Sequence, residues 1–154
     1  MSRKMMLSYT VPEYKEKKSL LRTTFVGDSI TPFAIANLVE QGLPYVVFKR
    51  AADYLNQTET SLAKLTGIPI STLSHQKKSK KARLSVENSE KLYRYVNLLQ
   101  RSIEVLNDED YAKQWFQSPN DAFSDKSPAE VARNEVGAEA VHDLLNRIEY
   151  GVFS

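Results

Sequence analysis

The chain has no cysteine among its 154 residues. A disulfide framework, a thiolate metal site and a cysteine nucleophile are excluded together. The absence also fits a reducing, cytoplasmic compartment. Histidine is scarce: His75 and His142 stand far apart, each without a neighbouring pattern of metal ligands. The five glycines, at 27, 42, 67, 137 and 151, are too scattered for a phosphate-cradling loop or a dinucleotide fingerprint. No G-x-S-x-G nucleophile elbow occurs. Long apolar runs are missing as well. Met5-Met6-Leu7 is too short for the core of a secretion signal, and nothing approaches the run of about 18 residues needed to span a membrane. These absences point away from an enzyme and from a membrane partner, and nothing calls for a cofactor or a metal.

Acidic residues are missing from one long stretch, between Glu59 and Glu87. The formal net charge of the whole chain is only +2, but it is unevenly spread. Residues 60–103 hold 9 basic and 2 acidic side chains, a net +7; residues 104–154 hold 4 basic and 11 acidic, a net −7. A basic middle and an acidic end suggest two surfaces with different partners.

What is present reads as an all-α protein, with no strand pattern. Residues 1–30 are polar and weakly periodic and are expected to form a flexible arm. Helices are expected over about 32–41, from Pro44 onward, over 61–66, over 70–78 and over 86–106. Thr31 with Pro32, and Ser85, supply the chemistry of helix starts, and Gly42 and Gly67 that of ends. Val47, Phe48, Ala51, Ala52 and Leu55 form one apolar stripe, and Leu92, Val96, Leu99 and Ile103 another. Glu87 with Lys91, and Glu90 with Arg94, are spaced for i,i+4 pairs. A break at 107–110 leads to a short aromatic helix with Tyr111, Trp115 and Phe116. Ser127-Pro128-Ala129-Glu130 is a capping box, and Val141, Leu144, Leu145 and Ile148 mark a last helix ended by Gly151. The expected division is an arm at 1–30, one domain at 31–106 and a second at 107–154.

The basic middle carries a helix-turn-helix pattern. Two short helices meeting at a steep angle need a small residue in the first, and Ala63 is that residue. Gly67 suits the sharp turn four residues later, and Ile68 and Leu73 can bury in the angle. The second helix would then present Ser71, Thr72, His75 and Gln76 outward, groups that hydrogen-bond base edges or phosphates in a major groove. Lys77, Lys78, Lys80, Lys81 and Arg83 follow directly, suited to the phosphate backbone. Such readers usually bind two half-sites, so a homodimer on operator DNA is expected.

The acidic end finishes on Arg147-Ile148-Glu149-Tyr150-Gly151-Val152-Phe153-Ser154. Chain ends are usually polar, whereas this one mixes charged, apolar and aromatic groups of the kind found at binding hot spots. Two readings stand: the tail folds back on its own core, or it enters a partner's pocket.

Five features together resemble the MbcA/ParS/Xre antitoxin family. They are the helix-turn-helix, Arg83-Leu84-Ser85, Trp115-Phe116-Gln117-Ser118-Pro119-Asn120, the Ser127-Pro128 start with Gly137-Ala138, and the ending Leu144-Leu145-Asn146-Arg147-Ile148-Glu149-Tyr150-Gly151-Val152. The resemblance covers residues 31–154. It implies an antitoxin of a type II toxin–antitoxin module, paired with a RES-domain toxin that degrades NAD⁺. The C-terminal end would occlude the toxin's active-site cleft, and the complex, a higher assembly of antitoxin with toxin, would repress its own operon through the helix-turn-helix. Carried onto this chain, the toxin-binding residues would be Trp115, Arg147, Glu149, Tyr150, Gly151, Val152, Phe153 and Ser154. The chain departs from the family at Ser124-Asp125 and at Asn146, where glycine is common; Asp and Asn tolerate positive φ, so the turns are expected to survive. The rival reading is a stand-alone helix-turn-helix regulator whose C-terminal part only dimerises or senses a ligand.

Overall fold

A computed structural model describes Thr24, residues 31–76, Lys78 and residues 82–151. The expected arm at 1–30 lies outside the described residues, apart from Thr24, which is helical and buried.

Helix α1 (Pro32–Gln41) begins where the Thr31 hydroxyl accepts from the Ala34 amide at 3.1 Å and Pro32 sits at the first helical position. Gly42 ends it at φ 85°. A Cβ there would lie 2.3 Å from the Leu84 carbonyl oxygen, so this corner closes only around glycine. Helix α2 (Tyr45–Tyr54) buries Val47, Phe48, Ala51 and Ala52, the stripe its spacing predicts. Helix α3 (Glu59–Thr66) starts two residues before the expected 61, because Thr58 takes the cap and accepts from the Ser61 amide at 3.0 Å. Helix α4 (Ile70–Gln76) stops short of the expected 78, and Lys78 lies in a turn. Helix α5 (Val86–Leu106), capped by Ser85, keeps the bounds its sequence suggests. Asn107 breaks it at φ 54°, and Asp108 caps α6 (Glu109–Gln117).

The C-terminal part continues through a 3-10 turn at Asp121–Phe123. The Ser127 capping box then opens only one helical turn, α7 (Pro128–Val131). A second cap at Asn134 starts α8 (Glu135–Tyr150), and the Gly137 amide donates to the Asn134 side chain at 2.8 Å. Ser124 and Asp125 hold φ 52° and 66°, so the expected positive-φ turn forms without glycine. Asn146 is different: it lies inside α8, so no turn is needed there.

Among the described residues there is no strand, only an isolated antiparallel bridge between Pro44 and Arg83. Through it the Tyr45 amide donates to the Ala82 carbonyl at 2.9 Å and Leu84 to Leu43 at 2.8 Å. The end of the basic loop is thereby tied to the α1–α2 corner.

One continuous core runs through the described chain. It joins Leu43, Phe48 and Leu62 to Leu92, Val96 and Leu99 of α5, and these to Phe116, Val141 and Leu145. Each such side chain contributes roughly 1.5–3 kcal/mol by leaving water. Helix α5 is the spine, touched by α1, α3, α6 and α8. Helix α8 runs in the same sense as α5, since Arg94 pairs with Glu135 near its start and Arg101 with Glu149 near its end. Glu87 and Lys91 form their expected pair at 3.3 Å. Arg94 does not pair with Glu90. It reaches Glu135 at 3.2 Å and the Arg133 carbonyl at 3.1 Å, two acceptors where the helix offered one solvent-exposed carboxylate.

Candidate functional site

The turn between α3 and α4 has the geometry its residues predict. Ala63 is fully buried, and Ile68 and Leu73 close the angle at 3% and 2% exposure. Gly67 is left-handed at φ 78°, and the Ile68 amide donates back to Ala63 at 2.9 Å. Two cations from distant parts of the chain hold this turn. Lys91 Nζ donates to the Gly67 carbonyl at 3.3 Å, and Arg133 Nη2 donates to the Lys64 carbonyl at 2.7 Å. Both satisfy acceptors at the end of α3, where the helix dipole favours positive charge. Nothing local in the sequence marked Lys91 or Arg133 for this role.

On α4, Ser71 and His75 are exposed one turn apart on the same face, and Thr72 is half-buried beside them. Gln76 is the last residue of the helix. Lys78 is exposed in the following turn. Lys77, Lys80 and Lys81 lie outside the described residues. Arg83 is exposed, but it also donates Nη1 to the Gly42 carbonyl at 2.9 Å, so it fastens the loop as well as offering charge.

At the other end, Trp115 is half-buried and packs against the core, while Phe116 is fully buried. Helix α8 turns Val141 and Leu145 inward at 0% exposure and finishes on Tyr150, which is 74% exposed. Tyr150 therefore does not fold back onto the core. Arg147 is exposed as well. Gly151 caps the helix at φ 65°, its amide donating to the Arg147 carbonyl. Val152, Phe153 and Ser154 lie outside the described residues. Glu149 is engaged within the chain: its carboxylate accepts both terminal nitrogens of Arg101.

A groove of about 270 Å³ separates α5 from α8, lined by Tyr93, Arg94 and Asn97 on one side and Glu135, Glu139 and His142 on the other. Among the described residues, no cluster of three or more His, Asp or Glu side chains could hold a metal ion. Nor is any helix there long and apolar enough to cross a membrane.

Comparison with known proteins divides the chain at the same place as its charge. Residues 34–97 match the antitoxin Xre-like helix-turn-helix domain, and residues 102–151 match the antitoxin Xre/MbcA/ParS C-terminal toxin-binding domain. The chain belongs to the Xre/MbcA/ParS antitoxin family. The antitoxin is 26% identical over 145 residues to a protein named Antitoxin Xre from Photorhabdus laumondii, covering 93% of this chain and 97% of that one. It is 30% identical over 97 residues to an Antitoxin Xre from Yersinia enterocolitica, covering 62% of this chain and 65% of that one. An all-α antitoxin with a helix-turn-helix followed by a toxin-binding domain is thus what the sequence encodes.

Proposed function

We propose that the antitoxin neutralises a RES-domain, NAD⁺-degrading toxin by inserting its C-terminal end into the toxin's active-site cleft. The same chain binds operator DNA as a homodimer through α4 and the basic loop, and so represses its own operon. Residues 31–106 serve DNA and residues 107–154 serve the toxin. In this reading Arg147, Tyr150 and residues 151–154 are the inserted group, and Trp115 adds a contact from α6. A guanidinium suits a pocket that accepts nucleotide phosphates, where it acts as an occupant and not a catalyst.

The observation that carries this reading is the exposure of Tyr150 at the end of a helix whose apolar face is already spent on its own core. A large aromatic beyond a finished core is available to a partner. On the DNA side, the support is a helix-turn-helix whose outward residues are polar and whose next seven residues contain five cations.

The two activities are expected to separate. Removing residues 150–154 abolishes toxin neutralisation in a growth-rescue assay and leaves operator binding intact. Replacing Ser71, His75 and Gln76 together with alanine does the reverse, with operator affinity falling by about 3–9 kcal/mol if each contributes as a base contact does. Full protection by the truncated chain would overturn the insertion mechanism.

A further inference from the structure

The geometry points to a function for Arg101 that neither matched domain description contains: it is a latch on the last turn of α8, and Glu149 is its internal partner and not a toxin contact. The inference rests on the insertion reading given above and assigns parts within that site.

Arg101 stands on α5, 48 residues before Glu149. Its guanidinium donates Nη1 to Glu149 Oε1 at 3.4 Å, Nη2 to Glu149 Oε2, and Nη2 also to Asn146 Oδ1 at 3.2 Å. One planar fork thus holds two residues of the last turn, one helical step below Tyr150. The Arg101 side chain is 27% exposed and that of Glu149 36%, so water competes only partly for either. Glu104 lies 4.0 Å from the same guanidinium and adds a second carboxylate. The cation also sits where the carbonyls of α8 run out, which the helix dipole favours.

The last turn of a helix is its least stable part, and of the final three residues here Glu149 and Tyr150 are exposed and Ile148 is half-buried. Without the latch, this turn frays and Tyr150, its last residue, loses its fixed direction. Ordering that turn on the toxin then costs conformational entropy that the latch had already met in the free protein. Arg101 is therefore a positioning residue, acting through Glu149 and Asn146.

The test has two arms on the full-length chain. In the first, amide hydrogen exchange is read without any partner. Arg101→Ala is expected to speed exchange at residues 147–151 by roughly fivefold to tenfold, with Val141 and Leu145 unchanged. Unchanged exchange at 147–151 overturns the latch whatever the toxin proves to be. In the second, affinity is measured for the RES-domain protein of the same operon. Arg101→Glu and Glu149→Arg each weaken binding by about tenfold, and the double exchange restores it to within about threefold of the original. If the double variant stays as weak as Glu149→Arg alone, Glu149 touches the toxin and the assignment is wrong. If the unaltered chain does not bind that protein, the toxin reading falls, and the exchange arm still decides the latch.

Discussion

Tyr95 lies at 3% exposure with its ring edge-on to Phe116, the centroids 5.1 Å apart. Burial pushes its phenol up to about 12. Tyr45 and Tyr54 are raised as well, first by burial and then by the carboxylates of Glu59 and Glu109 that their hydroxyls donate to, at 2.5 and 2.6 Å. In the unfolded chain a phenol ionises near pH 10. Between about pH 10 and 12 the unfolded state loses protons that the folded state keeps, so stability is full below pH 10 and falls as the pH climbs. Urea unfolding is expected to lose a few kcal/mol across that window, and Tyr95→Phe to make the fall shallower while changing stability at pH 7 little. At this scale the sequence is legible wherever a side chain acts within one turn. Thr31, Ser85 and Ser127 all cap as their positions suggest. Arg94 and Arg101 were not legible, because their partners lie 41 and 48 residues away and only the packed fold brings them close.

Helix boundaries follow the same division. The ends set by Gly42, Gly67, Asn107 and Gly151 are local events, each marked by positive φ. The break between α7 and α8 is not local, although its cause is visible once the elements are packed. A Cβ on Gly137 would lie 1.7 Å from the Val131 carbonyl oxygen, so α8 can begin directly under the end of α7 only with glycine there. Helix propensity alone favours alanine over glycine by about 1 kcal/mol. The clash is with backbone, which cannot rotate away, and overpacking of this kind costs about 1–3 kcal/mol or more. Gly137→Ala is therefore expected to destabilise the protein by about 2 kcal/mol net, read as a lower urea midpoint at unchanged slope. Stabilisation by that substitution would mean that α7 and α8 are free to separate. The aromatic helix α6 was legible in its start and stop, but not in its sidedness. Phe116 is wholly buried whereas Tyr111 is 54% exposed, a difference set by α5 and not by α6 itself.

At the scale of the whole molecule, α5 keeps the two functions apart and connects them. Lys91, near its start, grips the α3–α4 turn, and Arg101 grips the end of α8 about 15 Å further along, at 1.5 Å per residue. The α3–α4 turn therefore lies near one end of the spine and Tyr150 near the other. The connection is not confined to α5. Arg133, in the toxin-binding domain, donates to the Lys64 carbonyl across 69 residues, so that domain braces the first helix of the DNA-reading pair. A hydrogen bond of this kind contributes about 1 kcal/mol. If bracing fixes the angle at which α4 is presented, Arg133→Ala weakens operator binding by up to about fivefold and leaves toxin binding unaltered. Salt dependence separates this effect from a lost phosphate contact. Arg133→Ala should lower affinity equally at every salt concentration, with an unchanged slope of log affinity against log salt. Lys78→Ala, which removes an exposed cation beside the reading helix, should make that slope shallower by about one unit. A shallower slope for Arg133→Ala would move Arg133 from brace to DNA contact, and would carry the DNA-binding face of the protein into its toxin-binding domain.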